Sequence, residues 1–432
     1  MLIAGGRVVC PDTGTDQIAD VLVQDGRIAA VEPNLTGPDG VDRLAVEGMV
    51  LAPGLVDVHV HLREPGATHK ETIRSGAQAA AAGGFTTIWA MPNTTPPLDD
   101  PAAVGYVRQE AKRWARRGQG GARVSPVGAA SRRMAGKRMT EVGALVEAGA
   151  VAVSDDGLPI ADTGLMRRLL EYTQAFDIPV LQHAEDLGLS AQGVMNEGSV
   201  ATSLGLRGQP GAAESVMVAR DVRLAQLTGG HLHVQHVSTR DSVEIIARAR
   251  DKGVRVTAEA TPHHLALTDE AVLGYRTEAK MNPPLRSADD RAAVRQAVVD
   301  GTIEMIATDH APHHYEEKDR EFDDAPFGVV GLETALSVCM RELVEPGLMT
   351  LNDLIDRMSA GPARAMGING GSLRRGMPAD IVIFDPDGAW VVDPRRFRSK
   401  AGNTPFAGDT LKGVVHRTLV SGEVRYASGV LL

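Results

Sequence analysis

Eight short apolar runs recur through the middle of this chain, separated by stretches of helical character. They read GLVDVHV, FTTIWAMP, RVSPVGA, AVAVSDD, IPVLQHAE, HLHVQHVS, VRVTAEATP and EMIATDHAP. The segments between them, such as ETIRSGAQAAAAGG and TRDSVEIIARARDKG, are amphipathic. Near-continuous apolar runs suit parallel strands covered by helices on both faces. Hydrophobic residues make up 43% of the chain and aromatics only 3%, so the core must be Ala, Val, Leu and Ile. Eight strand–helix units over about 250 residues fit a (β/α)8 barrel. Polar residues collect where the runs end: His59 and His61, Asn93, Asp155 and Asp156, His183, His236, Asp309. In such a barrel the C-terminal face carries the chemistry.

The two ends of the chain break this rhythm. LIAGGRVVC, DVLVQDGRIAAVE and RLAVEGMVLA read as short strands, with QDGR as a hairpin turn. ADIVIFDP and VVHRTLVSGEVRYA repeat the pattern near the other terminus. Residues 1–52 and 366–432 are therefore expected to build one small β-sandwich domain, with the barrel domain at 53–365 between them.

Charge narrows the partners. A formal net charge of -10 and a pI near 5.7 argue against a nucleic-acid partner or an anionic membrane. The basic run RQEAKRWARRGQGG at 108–121 reads as a solvated helix and loop outside the barrel. Cys10 and Cys339 make neither a disulfide framework nor a thiolate cluster. The N-terminal stretch lacks a basic leader, and no apolar run approaches the roughly 18 residues of a membrane span. A cytoplasmic location is expected.

His59 and His61 alternate with Val60, so both imidazoles point to one side of a strand. Two neutral nitrogens held close are half of a zinc site. Alone, such a pair reads as structural histidines. With His183, His236 and Asp309 also ending apolar strands, core packing explains little, because burying them unpaired is costly. A metal would satisfy them.

DVHVHLREPG (57–66) and ATDHAPHHYEEK (307–318, with its spaced Lys318) resemble the two signatures of class I dihydroorotases in the amidohydrolase superfamily. MPNT at 91–94, TPHHL at 261–265, MNPPLR at 281–286, ADIVIFD and NTPF are similar to that family as well, so the resemblance spans nearly the whole chain. It implies a cyclic amide hydrolase of pyrimidine biosynthesis, which reversibly closes N-carbamoyl-L-aspartate to L-dihydroorotate with loss of water. It implies that His59 and His61 bind a more buried zinc, and His183 and His236 a second. Asp309 would bind the first and act as general base and acid. Zinc-bound hydroxide would be the nucleophile, since zinc lowers the pKa of bound water to about 7.

Many members of the superfamily bridge their metals with a carboxylated lysine after strand four. Here that strand ends VAVSDDG. The family pattern implies Asp156 as the bridge, with Asp155 as a support accepting a hydrogen bond. The residues alone leave the two aspartates open, and one zinc or two, with two expected. The resemblance further implies that Arg63, Asn93 and His313 receive the substrate carboxylate. Asn282 would meet the ureide edge, backbone groups at Phe327 and Gly328 would close it, and His61 would touch substrate. The long loop after strand eight is expected to be a mobile lid.

The other polar residues get plainer expectations. His263 and His264 are supporting or structural, and Arg286 is a structural ion pair. Lys70 and Glu71 start the first barrel helix. His69, His231, His233, His310, His314 and His416 have no constellation of their own. The rivals are a hydantoinase or dihydropyrimidinase, an allantoinase, and a non-catalytic scaffold for aspartate transcarbamoylase. The first typically carry the bridging lysine, and allantoinases tend to show Asn in place of Arg63. The scaffold usually lacks metal residues that are all filled here. A small-molecule substrate is expected, and the family makes a homodimer or an association with aspartate transcarbamoylase plausible.

Overall fold

The computed structural model describes residues 1–428. The last four residues of the expected C-terminal β segment lie outside them. All eight apolar runs are strands: Leu55–Val60, Phe85–Ala90, Arg123–Pro126 continued by Gly128–Ala129, Val153–Ser154, Val180–Gln182, Leu232–Val234, Val256–Ala260 and Met305–Ile306. Each pairs in parallel with the next. A parallel bridge from Val60 to His310 closes the ring.

Alternation sorts the barrel side chains. Val180, Leu232, Val234, Val256 and Ile306 join the large core shared with the helices. Their neighbours turn inward. On one flank the interior is apolar: Val56, Val58, Trp89, Met91, Val127, Ala152, Leu181, Met305 and Ala307 form one buried cluster. On the other flank strands six and seven send in His231, His233, Gln235, Thr257 and Glu259.

Helices begin where a side chain can take their orphan N–H groups. Thr72, Asp100, Asp162, Thr239 and Ser287 each accept such a bond, opening helices at Ile73, Pro101, Thr163, Arg240 and Ala288. The first barrel helix is Ile73–Ala82, so Lys70 and Glu71 precede it rather than start it. The basic run contributes the end of helix Pro101–Arg116 and a largely exposed loop. No described helix is long and apolar enough to cross a membrane. Cys10 and Cys339 are both buried thiols.

The two chain ends share one eight-stranded sheet. Val50–Pro53 pairs antiparallel with Ile381–Phe384, joining the N-terminal strands to the C-terminal ones. The QDGR hairpin turns through Asp25 and Gly26, both at positive φ (49° and 72°). A Cβ at Gly26 would lie 2.7 Å from the Ser421 carbonyl oxygen, so the turn also needs glycine for space. Here too alternation divides the labour. Val50, Ala52, Val382 and Phe384 pack into the barrel core, whereas Leu51, Ile381 and Ile383 pack into the sheet's own core. Strand one of the barrel then follows at once from Pro53.

Candidate active site

Asp57 explains why the first strand carries an acid before its histidines. It is fully buried and accepts from His59 N (3.0 Å), Thr308 N (3.2 Å) and Thr308 Oγ1 (2.6 Å). It thus clamps strand one to strand eight just below their ends. Burial raises its pKa to about 7 against those hydrogen bonds. Three candidate residues at the mouth hold left-handed backbone: Arg63 (φ 59°), His236 (φ 33°) and Asp309 (φ 47°). Such strain in side chains with a Cβ clusters at functional sites.

The expected ligand residues converge. Asp156 Oδ2 lies 3.2 Å from both His59 Nε2 and His61 Nε2. Asp309 Oδ1 lies 3.4 Å from His59 Nε2 and 3.0 Å from His61 Nε2. Asp156 Oδ1 faces the other pair, 3.5 Å from His183 Nδ1 and 3.6 Å from His236 Nε2. Those two imidazole nitrogens are 2.8 Å apart. Asp156 therefore stands between the pairs with one oxygen toward each. Asp155 turns away, and both its oxygens accept from Ser131, through the backbone N–H and the hydroxyl. The geometry thus sorts two neighbouring aspartates that the residues alone left open.

These groups fit a metal ion. The donor atoms of His59, Asp156 and His236 lie within 4.8 Å of one another, as do those of His59, His61 and Asp309. All are buried, yet Asp156 Oδ1 has no hydrogen-bond partner. An orphaned buried carboxylate oxygen is costly, and a divalent cation on imidazole and carboxylate donors relieves it. The charges agree. Burial pushes Asp156 up, but His59, His183 and His236 outweigh it and hold the carboxyl well below its usual range. Burial pushes His183 down, yet Asp156 and Glu185 outweigh that and raise it to about 10. Protons on imidazoles thus balance the carboxylates where cations can.

Three of the four histidines are held from behind. His61 Nδ1 meets Asn93 Oδ1 at 2.8 Å, His183 Nε2 meets Glu185 Oε2 at 2.9 Å, and His59 Nδ1 meets Glu259 Oε1 at 2.5 Å. Sequence reasoning missed Glu185 and Glu259. The signals were present: Glu185 follows His183 by two residues, and Glu259 shares an inward register with Thr257. Asn93 was expected to donate to a carboxylate. Its oxygen is taken by His61, so only the Nδ2 side can do so.

Beside this cluster lies a cationic corner. Arg63 Nη2 is 3.4 Å from His313 Nε2, and Lys70 Nζ is 3.3 Å from His313 Nδ1. Burial and the Arg63, Lys70 and Lys318 charges push the His313 imidazole down to about 3. Burial lowers Arg63 to about 10, which leaves it charged at neutral pH. A neutral imidazole has one acceptor nitrogen, and Lys70 Nζ is already paired with Glu317 Oε1 at 3.0 Å, which leaves the Arg63 fork as the cation in need of an acceptor. An incoming carboxylate would supply one. Asn282 donates to Glu185 Oε2 at 3.0 Å, while its own Oδ1 is buried and unpartnered, an acceptor open to a ligand N–H.

The loop after strand eight is tightly fastened. Lys318 Nζ donates to the carbonyls of Pro326 (2.9 Å) and Gly328 (3.1 Å). Lys280 Nζ donates to those of Phe322 (2.5 Å) and Asp323 (3.1 Å), and lies 4.8 Å from the centre of the Phe327 ring. Asn403, from the NTPF segment, donates to Ala311 O and Gly328 O and accepts from His313 N. Gly328 N–H donates to Lys280 O at 2.9 Å. Both polar groups of Gly328 thus have protein partners, its N–H at Lys280 and its C=O at Lys318 and Asn403.

The remaining polar residues are structural. His264 bonds Thr261 and the Pro283 carbonyl, beside the buried His263. Arg286 donates to Ser238, Asn196 and the Gln209 carbonyl rather than directly to an acid. His310 lies 3.3 Å from Glu71, which also accepts from Ser399 at 2.5 Å.

The profile of the amidohydrolase family matches residues 50–425. A dihydroorotase of Geobacter metallireducens is 49% identical over 426 residues, 99% of each chain. One of Pelotomaculum thermopropionicum is 51% identical over 424 residues, 98% of each chain. Among solved structures, the L-hydantoinase of Arthrobacter aurescens superposes with a TM-score of 0.88 at 28% identity, covering 100% of this chain and 97% of that one. The dihydropyrimidinase of Brevibacillus agri gives 0.85 at 25%, covering 98% and 94%. With half its residues shared over the full length of these relatives, and with a histidine–aspartate mouth of its own on a closed barrel, the chain belongs to the amidohydrolase family and, within it, to the dihydroorotases.

Proposed function

We propose that this chain is a zinc-dependent dihydroorotase that interconverts N-carbamoyl-L-aspartate and L-dihydroorotate in cytoplasmic pyrimidine biosynthesis. The observation that carries the reading is the placement of Asp156 between two histidine pairs, beside a corner where Arg63 and Lys70 share one neutral His313. His59, His61 and Asp309 would hold one zinc, and His183 and His236 a second, with Asp156 between them. Bound zinc supplies polarisation of a carbonyl and a water that ionises near neutral pH.

The protein's own groups then do the positioning and the proton work. Arg63 pairs with the substrate carboxylate through its planar fork. His313 and the Asn93 amide hold the other side. The open Oδ1 of Asn282 takes a ureide N–H. In ring opening, Asp309 accepts the proton of the attacking water and delivers it to the amide nitrogen as the C–N bond breaks. In ring closure the carbamoyl nitrogen attacks the distal carboxyl carbon, a C–N bond forms and water leaves. The fastened loop keeps bulk water from this corner.

The deciding experiment measures turnover of L-dihydroorotate, hydantoin, dihydrouracil and allantoin by protein whose zinc content has been counted. Selective, chelator-sensitive hydrolysis of dihydroorotate with two zinc ions per chain is expected. Preference for a neutral ring would move the chain to the hydantoinase reading and remove Arg63 from the substrate. Zinc without turnover would favour the scaffold. Light scattering, alone and with aspartate transcarbamoylase, tests the homodimer and that association.

A further inference from the structure

Glu259 occupies an unusual place on the polar flank of the barrel. It is fully buried, and no lysine or arginine among the described residues bonds or pairs with it. Instead three N–H groups meet its two oxygens. Oε1 faces His59 Nδ1 at 2.5 Å and the backbone N–H of His236 at 3.2 Å; Oε2 faces His233 Nε2 at 3.0 Å. His233 Nδ1 is 2.9 Å from Thr257 Oγ1, which is 2.9 Å from His231 Nε2.

These contacts fix the protons in one direction. His59 turns Nε2 toward Asp156 and Asp309, so as a cation ligand it must carry its proton on Nδ1 and donate to Glu259 at 2.5 Å, the Gln235 amide nitrogen lying farther off at 3.2 Å. His233 must then donate through Nε2 and accept from the Thr257 hydroxyl, which in turn accepts from His231. Burial above all holds His231 down to about 3, so it is neutral and serves as the donor that ends the chain. The same carboxylate reaches the other half of the centre. His236 has its φ at 33°, and its backbone N–H has Glu259 as partner.

We propose that Glu259 is a positioning residue for both halves of the metal centre. It fixes which nitrogen of His59 faces the cation and pins the strained backbone that presents His236. His233, Thr257 and His231 keep it oriented and accepting. This rests on the metal reading above. Carboxylates behind ligating histidines are worth about 10–100-fold in metal affinity.

The test is competition between the protein and a chelator for zinc and for cobalt, with cobalt visible spectra at saturation, on wild type, Glu259→Gln and His233→Gln. Glutamine keeps the size and one acceptor but removes the charge and offers His233 a donor instead of an acceptor. Glu259→Gln is expected to unfold at nearly the wild-type temperature without metal, to bind about 10–100-fold more weakly and to show altered cobalt bands. His233→Gln is expected to weaken binding several-fold. Were Glu259→Gln not to fold, His233→Gln alone would decide. Wild-type affinity and cobalt bands in both variants would overturn the proposal while leaving the metal centre standing. A wild type that binds neither ion would overturn the metal centre and this inference with it.

Discussion

The mouth of the barrel buries charge in two ways, side by side. In the histidine–aspartate cluster, two acids and four imidazoles crowd together, yet Asp156 Oδ1 has no partner and two imidazole nitrogens face each other at 2.8 Å. Around the loop after strand eight, Lys280 and Lys318 are each about 97–98% buried, and every contact they make is finished by main-chain carbonyls or an aromatic face. The first arrangement is incomplete as protein alone; the second is complete. One is the candidate socket for an ion and the other is a wall.

If that contrast holds, changes in the socket should cost function and changes in the wall should cost stability. The largest expected effect is on turnover. Asp309→Asn should lower kcat about 10²–10⁴-fold, with the metal-free melting temperature nearly unchanged. A collapse of the fold instead would make the cluster part of the wall. Next, Arg63→Met should raise KM for dihydroorotate about a hundredfold, as expected when one partner of a buried charge pair is truncated. Equal loss on a neutral ring would detach Arg63 from the carboxylate. In the wall, Lys318→Met should cost about 1–3 kcal/mol in denaturant unfolding by stranding the Pro326 carbonyl and leaving Gly328 O to Asn403 alone, with chelator-resistant metal retained. The last effect is on pH. Burial lowers Lys318 to about 7 from an ordinary 10.5, so the unfolded chain binds the extra proton between those values. Stability conferred by Lys318 should therefore rise with pH across that window, and the slope should vanish in Lys318→Met. A flat difference would mean the ammonium stays charged against its carbonyls.

Much of this was legible in the sequence. The eight strands showed as apolar runs because a strand covered on both faces has no polar side to hide it. The candidate ligands showed because so many histidines ending such runs are costly to explain as packing. What stayed hidden depended on register or on distant partners. Asp155 and Asp156 are chemically identical, and only the turn of the backbone after Ser154 separates them. Glu259 sits inside a strand, where a lone acid gives no hint that His59, two hundred positions earlier, needs it. Glu71 looked like a helix start, yet its partners His310 and Ser399 come from the other end of the chain. Gly328 was expected to face substrate only because the family resemblance implies it. Lys280 and Asn403 claim its polar groups first.

The shared sheet sets a timetable for synthesis. The strand Val50–Pro53 emerges early, but the strand it must pair with, starting at Ile381, follows roughly 330 residues later. At about 5–20 residues per second, the N-terminal segment waits some tens of seconds on the ribosome with one edge unpaired. An open β edge is a template for any other extended chain. The barrel can close only after strand eight, so for most of its synthesis this protein exposes the very edge that its own last strands are needed to cover.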